Sequence, residues 1–189
     1  MSMKKKVAVA LLLLTVWGGS MAFANSTATK VQVWVNGSAV SESGMLLDQK
    51  SYLPLRELAS SFKAILIWDE NNKTAKLFAP NVHMFVYQGN KPFGEVVRSS
   101  QAQKFKVFSQ IDNLKTDISS VKVSIADPKG KETMIQTQSV TSKSDNFWFV
   151  TEEIDYKFDT TGKYTIRFSM KLSANDDWTV VSEKMINAR

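Results

Sequence analysis

The stretch GKYTIRFSMKL, residues 162–172, decides the fold, because apolar and polar residues alternate along it without one exception. The residues of one parity are all apolar: Tyr164, Ile166, Phe168, Met170 and Leu172. Successive side chains of a β-strand point to opposite faces of the sheet. The stretch therefore predicts a strand with one face in a core and the other face in water.

The residues before this strand indicate the kind of sheet structure to which it belongs. Asp159-Thr160-Thr161-Gly162-Lys163 forms a glycine turn, and Tyr164 follows at once. A tyrosine that enters a late strand just after such a turn is typical of the tyrosine corner of immunoglobulin-like domains. The architecture resembles the immunoglobulin-like sandwich, and the alternative is a fibronectin-like sandwich. The usual cysteine pair is absent.

The region from Pro80 to the end of the chain repeats the same pattern. Phe105, Val107 and Ile111 share one parity, and so do the apolar residues of 121–125. Turn signals separate these runs at residues 112–113, 127–130, 144–146 and 175–177. Short alternating runs with frequent turns predict an antiparallel β-sandwich over residues 80–189.

Residues 30–79 follow a different plan, with one helix between short strands. Alternation over residues 31–35 ends in Asn36-Gly37, a pair that accepts positive φ and favours a tight turn. Pro54 lies where a helix would begin, and the apolar residues that follow it are spaced for one buried face. Residues 65–68 and 74–78 read as two strands joined by a polar turn. We therefore predict an α+β module, a small antiparallel sheet around one helix, ahead of the all-β sandwich.

Three segments of this module carry a family resemblance: Val35-Asn36-Gly37, then Tyr52-Leu53-Pro54-Leu55-Arg56-Glu57-Leu58-Ala59, then Trp68-Asp69 with Lys73-Thr74-Ala75-Lys76-Leu77. They resemble the copper amine oxidase N-terminal-like domain, the stalk domain of secreted bacterial proteins. One departure is Lys63-Ala64, where relatives usually place a glycine before the alanine.

The resemblance implies a fold and a location outside the membrane, and it implies no oxidase activity. The copper of those oxidases is bound by three histidines in a different domain, whereas this chain has one histidine, His83. Arg56 and Glu57 fall in the first turn of the predicted helix. We expect both to be structural, with Arg56 tying the helix to a neighbouring loop or carboxylate.

The N-terminus has the order of a secretory signal peptide. Three lysines at positions 4–6 precede an apolar run, and Ala22-Phe23-Ala24 supplies the small residues that a signal peptidase reads. We predict cleavage between Ala24 and Asn25. The alternative is a membrane anchor, for which the apolar run is short against the ~20 residues that a crossing needs. The prediction is a secreted or cell-wall-associated protein with no membrane attachment after cleavage.

Charge and cysteine content exclude several functions. The chain has 24 basic and 18 acidic residues, a formal charge of +6, and removal of the leader with its three lysines leaves +3. A charge of that size indicates solubility and no nucleic-acid partner. The absence of cysteine excludes disulfides, thiol catalysis and cysteine metal sites.

No constellation of residues predicts catalysis or a cofactor. His83 falls on the polar parity of a predicted strand, so we expect it to be exposed. Three pairs of adjacent carboxylates occur: Asp69-Glu70, Glu152-Glu153 and Asp176-Asp177. Such pairs are typical of solvated turns, or of a strand whose adjacent side chains point to opposite faces. They do not suit a glycosidase, because its two carboxyls must face one sugar. We predict no enzyme activity, no metal and no cofactor.

The aromatic residues are better candidates for binding. If the strand that begins at Phe147 runs unbroken, Phe147 and Phe149 face outwards and could form a stacking platform for sugar or peptide. The alternative is a break at residues 151–153, or burial of both faces against the first module. Trp34 and Phe85 also fall on the less apolar parity of their strands, and could belong to such an intermodule contact.

These observations favour an exported, non-catalytic protein that binds or adheres at the cell envelope, with cell-wall polymer or an extracellular protein as its partner. The alternative is a secreted regulator or inhibitor of an extracellular enzyme. The junction near Pro80 has no Gly/Ser-rich linker, and we therefore expect the two modules to pack together.

Overall fold

The computed structural model describes residues 28–141 and 144–189. The predicted signal peptide, residues 1–24, and its cleavage site between Ala24 and Asn25 lie outside these residues. Among the described residues, no helical segment has the length and hydrophobicity that a membrane crossing requires.

The described chain is mostly β-structure with one short helix, α1, at Leu55–Ser61. The strands in chain order are β1 (Thr29–Val31), β2 (Trp34–Val35), β3 (Ser38–Ala39), β4 (Gly44–Leu47), β5 (Lys50–Tyr52), β6 (Ile65–Asp69), β7 (Thr74–Phe78), β8 (Asn81–Gln88), β9 (Lys91–Pro92), β10 (Glu95–Val96), β11 (Ala102–Asp112), β12 (Ser120–Ala126), β13 (Glu132–Ser139), β14 (Phe147–Val150), β15 (Ile154–Lys157), β16 (Gly162–Lys171) and β17 (Thr179–Ala188).

The chain divides into two compact units between Pro54 and Leu55. This division differs from the predicted module boundary after residue 79, because α1 and the hairpin β6–β7 group with the later strands. Ile65, at the start of β6, is 1% exposed and belongs to the same buried apolar cluster as those strands. Phe78, at the end of β7, packs against that cluster.

The first unit contains a three-stranded antiparallel sheet in the order β1-β4-β5 and a separate hairpin, β2–β3. Asn36 and Gly37 have φ angles of 50° and 79°, which is the positive-φ turn that their sequence predicts. Asp48 and Gln49 also have positive φ, and they join β4 to β5.

The second unit contains two large sheets. Sheet I has the strand order β10-β17-β16-β12-β13, and sheet II has the order β14-β11-β8-β9, with β15 also paired to β11. Their pairs are antiparallel apart from β10–β17, which is parallel. The predicted β-rich fold, with antiparallel sheets and one helix, is confirmed at this level.

Side chains of both sheets fill one core. The Phe149 ring of sheet II lies 5.9 Å from the Phe168 ring of sheet I, centroid to centroid. Tyr164, on the same core face of β16 as Phe168, is 1% exposed, and its hydroxyl oxygen accepts a hydrogen bond from the Thr160 backbone N–H at 3.0 Å. The predicted core-facing side of strand β16 is therefore confirmed. Its other face is partly covered, since Arg167 on that face is only half-exposed.

A residue with left-handed backbone follows the C-terminal end of helix α1. Lys63 has φ of 55°, and its N–H donates to the Ser60 carbonyl at 3.1 Å. The Ala64 N–H donates to the Ala59 carbonyl at 2.8 Å. This pair of bonds is the Schellman motif, in which glycine is the usual left-handed residue. Lys63 therefore occupies, at a steric cost, the left-handed position of this motif that glycine usually occupies.

Candidate functional site

The outer surface of sheet II carries a group of exposed apolar side chains. Alternation along β8, β11 and β14 sends one set of residues into the core and the other set outwards. We call the outward apolar set the aromatic face: Phe85, Tyr87, Phe108, Trp148 and Val150. Trp148 is 73% exposed, Val150 50% and Phe85 48%, and the remaining two are half-buried between their neighbours.

The strand register makes these side chains continuous across three strands. Phe108 in the central strand β11 is paired with Phe85 on one side and with Val150 on the other. The Phe85 ring lies 6.3 Å from the Phe108 ring and 6.2 Å from the Tyr87 ring, measured between centroids. Directly opposed side chains on one sheet face are close enough to pack. The aromatic face is therefore one connected surface.

Polar side chains share this outer surface. Gln110 of β11 is paired with both Trp148 and His83, and its amide nitrogen donates to Asp112 Oδ2 at 2.8 Å. Lys106 is paired with Tyr87 and is exposed. The surface thus combines exposed rings with amide, imidazole and ammonium groups that can hydrogen-bond to a ligand.

The predicted outward orientation of Phe147 and Phe149 is wrong. Phe149 is 3% exposed and lies in the core, and Phe147 is half-buried, while the intervening Trp148 points outwards. The expectation assumed an unbroken strand, but β14 ends at Val150 and β15 begins at Ile154. The alternative, a break at residues 151–153, is the one that the structure contains.

Thr151 holds this break in place. Its backbone N–H donates to the Val107 carbonyl at 3.0 Å, and its hydroxyl accepts from the Val107 N–H at 3.0 Å. Thr151 is 2% exposed. In β14 the inward-facing residues have odd numbers, as Phe149 does. In β15, after the break, the inward-facing residues have even numbers, as the buried Ile154 does. A parity count through the break therefore assigns the wrong face.

Sequence reasoning missed Trp148, Phe108 and Tyr87 as members of the exposed face. A signal was present in the sequence, because Phe108 falls on the opposite parity to Phe105 and Val107. Aromatic residues on the polar parity of neighbouring strands are the pattern that would have found this face. Trp34, in the first unit, is 66% exposed.

The remaining predicted polar candidates lie in solvent-exposed positions. His83 is exposed, as its parity predicts. Asp69 accepts hydrogen bonds from Asn72, chiefly from its side chain, and these lower the pKa of Asp69 below its usual value. Glu153 pairs with Lys104, whose Nζ lies 3.1 Å from its Oε2. Within residues 28–141 and 144–189, no group of three or more potential metal-ligating side chains could hold a metal ion.

Comparison with known proteins adds no assignment, since no protein-family model and no curated protein matches the chain.

Proposed function

We propose that this is an exported, non-catalytic binding protein of the bacterial cell envelope, which holds wall polymer on the aromatic face. The observation that carries the proposal is the exposure of Trp148 and Phe85 on one connected surface of sheet II. Contiguous exposed apolar surface, rimmed by polar residues, is typical of interaction sites.

The chemistry of the aromatic face suits a polysaccharide. A pyranose ring has an apolar C–H surface that packs on an aromatic ring, and hydroxyl groups at its edge that need hydrogen-bonding partners. Exposed rings beside Gln110, His83 and Lys106 offer both kinds of contact. Because the face lies on the outer surface of a sheet and extends across three strands, it suits an extended polymer better than a single small molecule.

For residues 80–189 we propose an immunoglobulin-like architecture. Three features support it: the division of the strands between sheets I and II, the parallel pairing of β10 with β17, and the hydrogen bond between the Thr160 N–H and the Tyr164 hydroxyl. In immunoglobulin-like domains such a tyrosine lies at the start of a late strand and bonds to backbone a few residues upstream.

For residues 25–79 we propose a copper amine oxidase N-terminal-like (stalk) module, without oxidase activity, although α1 and the hairpin β6–β7 group with the later strands. Its support is the resemblance in sequence, the positive-φ turn at Asn36-Gly37 and the single helix that lies between strands. We propose export with cleavage after Ala24, which N-terminal sequencing of the protein from culture medium tests directly.

Co-sedimentation of the secreted protein with purified bacterial cell walls, across a salt series, tests the proposed function. Weak charge attraction between exposed groups is screened as salt rises, whereas stacking on the aromatic face is not. We expect retention that persists at high salt. Retention that disappears as salt rises, or no retention, would reject wall binding. Co-purification with one secreted enzyme would then favour a regulator or inhibitor.

A further inference from the structure

A second candidate site lies on the opposite sheet of the same unit, where residues of α1 and of the outer surface of sheet I line one space. The space between them has a volume of about 440 Å³. We call it the helix groove. The polar or aromatic side chains that line it are Arg56, Ser60, Lys63, Arg167, Trp178 and Glu183.

Positive charge dominates the helix groove. Lys63 and Arg167 both bind the one lining carboxylate, Glu183, with Lys63 Nζ 2.9 Å from Oε2 and Arg167 Nε 3.1 Å from Oε1. Burial alone would raise the pKa of Glu183, but the bonds with Lys63 and Arg167 outweigh it and lower the pKa. With Arg56 added, three cations line the groove against one lining anion, a formal charge of +2. Glu132 does not line the groove, but its Oε2 also binds Arg167 at 2.7 Å.

Arg56 is the cation that is available to a ligand. It makes no hydrogen bond or ion pair with any side chain in the described ranges 28–141 and 144–189, so the structure shows no partner for the tie that its sequence position predicts. Ser60 lies four residues further along α1, and side chains at that spacing share one helix face. The Arg56 guanidinium and the Ser60 hydroxyl therefore border the groove together as hydrogen-bond donors.

The Trp178 ring is the aromatic wall of the groove, and two lysines lie beside it, of which Lys122 also pairs with Glu132, with 3.5 Å between its Nζ and Oε1. Lys122 Nζ lies 5.1 Å and Lys171 Nζ 5.2 Å from the centroid of the Trp178 ring. An ammonium group over an indole ring is a favourable contact, which holds both cations close to the groove.

We propose that the helix groove is a binding site for an oxyanion, a phosphate or carboxylate group, with Arg56 as its principal ligand. A guanidinium presents N–H donors in a planar fork that matches the oxygens of either group. This site is separate from the aromatic face, and the inference does not rest on the proposed function.

Titration of ¹⁵N-labelled protein, followed by NMR, tests the proposal. Inorganic phosphate and acetate are the two probes, each compared with sodium chloride at equal ionic strength. We expect a saturable shift of the Trp178 indole N–H signal with at least one probe, and the stronger probe identifies the source of the oxyanion. The absence of a saturable shift with both probes would overturn the proposal.

Two matched variants separate the groove from general charge attraction. Arg56→Gln should weaken binding by about tenfold, because a hydrogen bond to a charged group is lost. Arg98→Gln removes the same charge from an exposed residue that does not line the groove, and should bind as the parent does. Equal weakening in both variants, or unchanged binding in Arg56→Gln, would contradict the assignment.

Discussion

Lys63 Nζ lies 2.9 Å from Glu183 Oε2, and this contact joins the segment just after α1 to β17. The same lysine has a positive φ of 55°. This conformation is unfavourable in free energy for every residue except glycine. The lysine thus combines a backbone penalty with an ion pair that glycine cannot make. This combination explains how a lysine can occupy a left-handed position that favours glycine.

Substitutions at Lys63 should separate the two effects. Lys63→Gly relieves the backbone and loses the ion pair, so its free energy of unfolding should stay within about 1 kcal/mol of the parent. Lys63→Ala also loses the ion pair but keeps the left-handed backbone, and should be about 1 kcal/mol less stable than Lys63→Gly. Urea denaturation measures both. An alanine variant as stable as the glycine variant would contradict this account of the helix end.

The pKa of Glu183 predicts how stability depends on pH. Its folded-state pKa is lowered from the model-compound value of 4.5, so its contribution is present above that value and is lost as pH falls through the folded-state pKa. Glu183→Gln lacks this contribution. The difference in Tm between parent and variant should therefore be largest near neutral pH and shrink below about pH 4.5. A difference that stays constant down to pH 3 would show that the carboxylate charge does not stabilise the fold.

The hydroxyl of Tyr164 should contribute to stability through the Thr160 N–H. Tyr164→Phe leaves that partly buried N–H without its acceptor, which should lower the free energy of unfolding by about 1–2 kcal/mol. Tyr87→Phe is the control, since Tyr87 lies on the outer surface of sheet II. Urea denaturation compares the two variants, and equal losses would show that the Tyr164 hydrogen bond has no special role.

The orientation of β14 predicts effects of very different size for two neighbouring aromatic residues. Phe149→Ala removes a core ring that packs on Phe168 and should cost about 3–5 kcal/mol. Trp148→Ala removes an exposed ring and should change the free energy of unfolding by about 0.5 kcal/mol or less. Equilibrium denaturation of both variants tests this orientation. A large loss of unfolding free energy in Trp148→Ala would show that Trp148, and not Phe149, faces the core.

The sequence predicted the elements well because each has a local cause. The Asn36-Gly37 turn depends on residues that accept positive φ, and the β16 strand depends on its alternation from Tyr164 onwards. The division between the units was not predicted, because it depends on where Ile65 is buried, a contact between segments far apart in the chain.

The orientation of the β14 side chains was not predicted, since Phe149 is buried and Trp148 is exposed. The sequence indicates an aromatic platform near residue 148, yet the side chains that form it are decided by Thr151, whose bonds to Val107 interrupt the strand. Such a break depends on a non-local contact. The strand pairing that brings Phe85 and Phe108 together is likewise absent from any local pattern.

Retention on purified cell walls at high salt, measured for the parent, Trp148→Ala and Trp34→Ala, tests the central claim most directly. Both tryptophans are strongly exposed, at 73% and 66%, but only Trp148 belongs to the aromatic face. We expect Trp148→Ala to lose about tenfold or more in apparent affinity, as the loss of a central aromatic contact does, and Trp34→Ala to bind as the parent does. Retention of Trp148→Ala equal to that of the parent would contradict the claim that the aromatic face holds wall polymer.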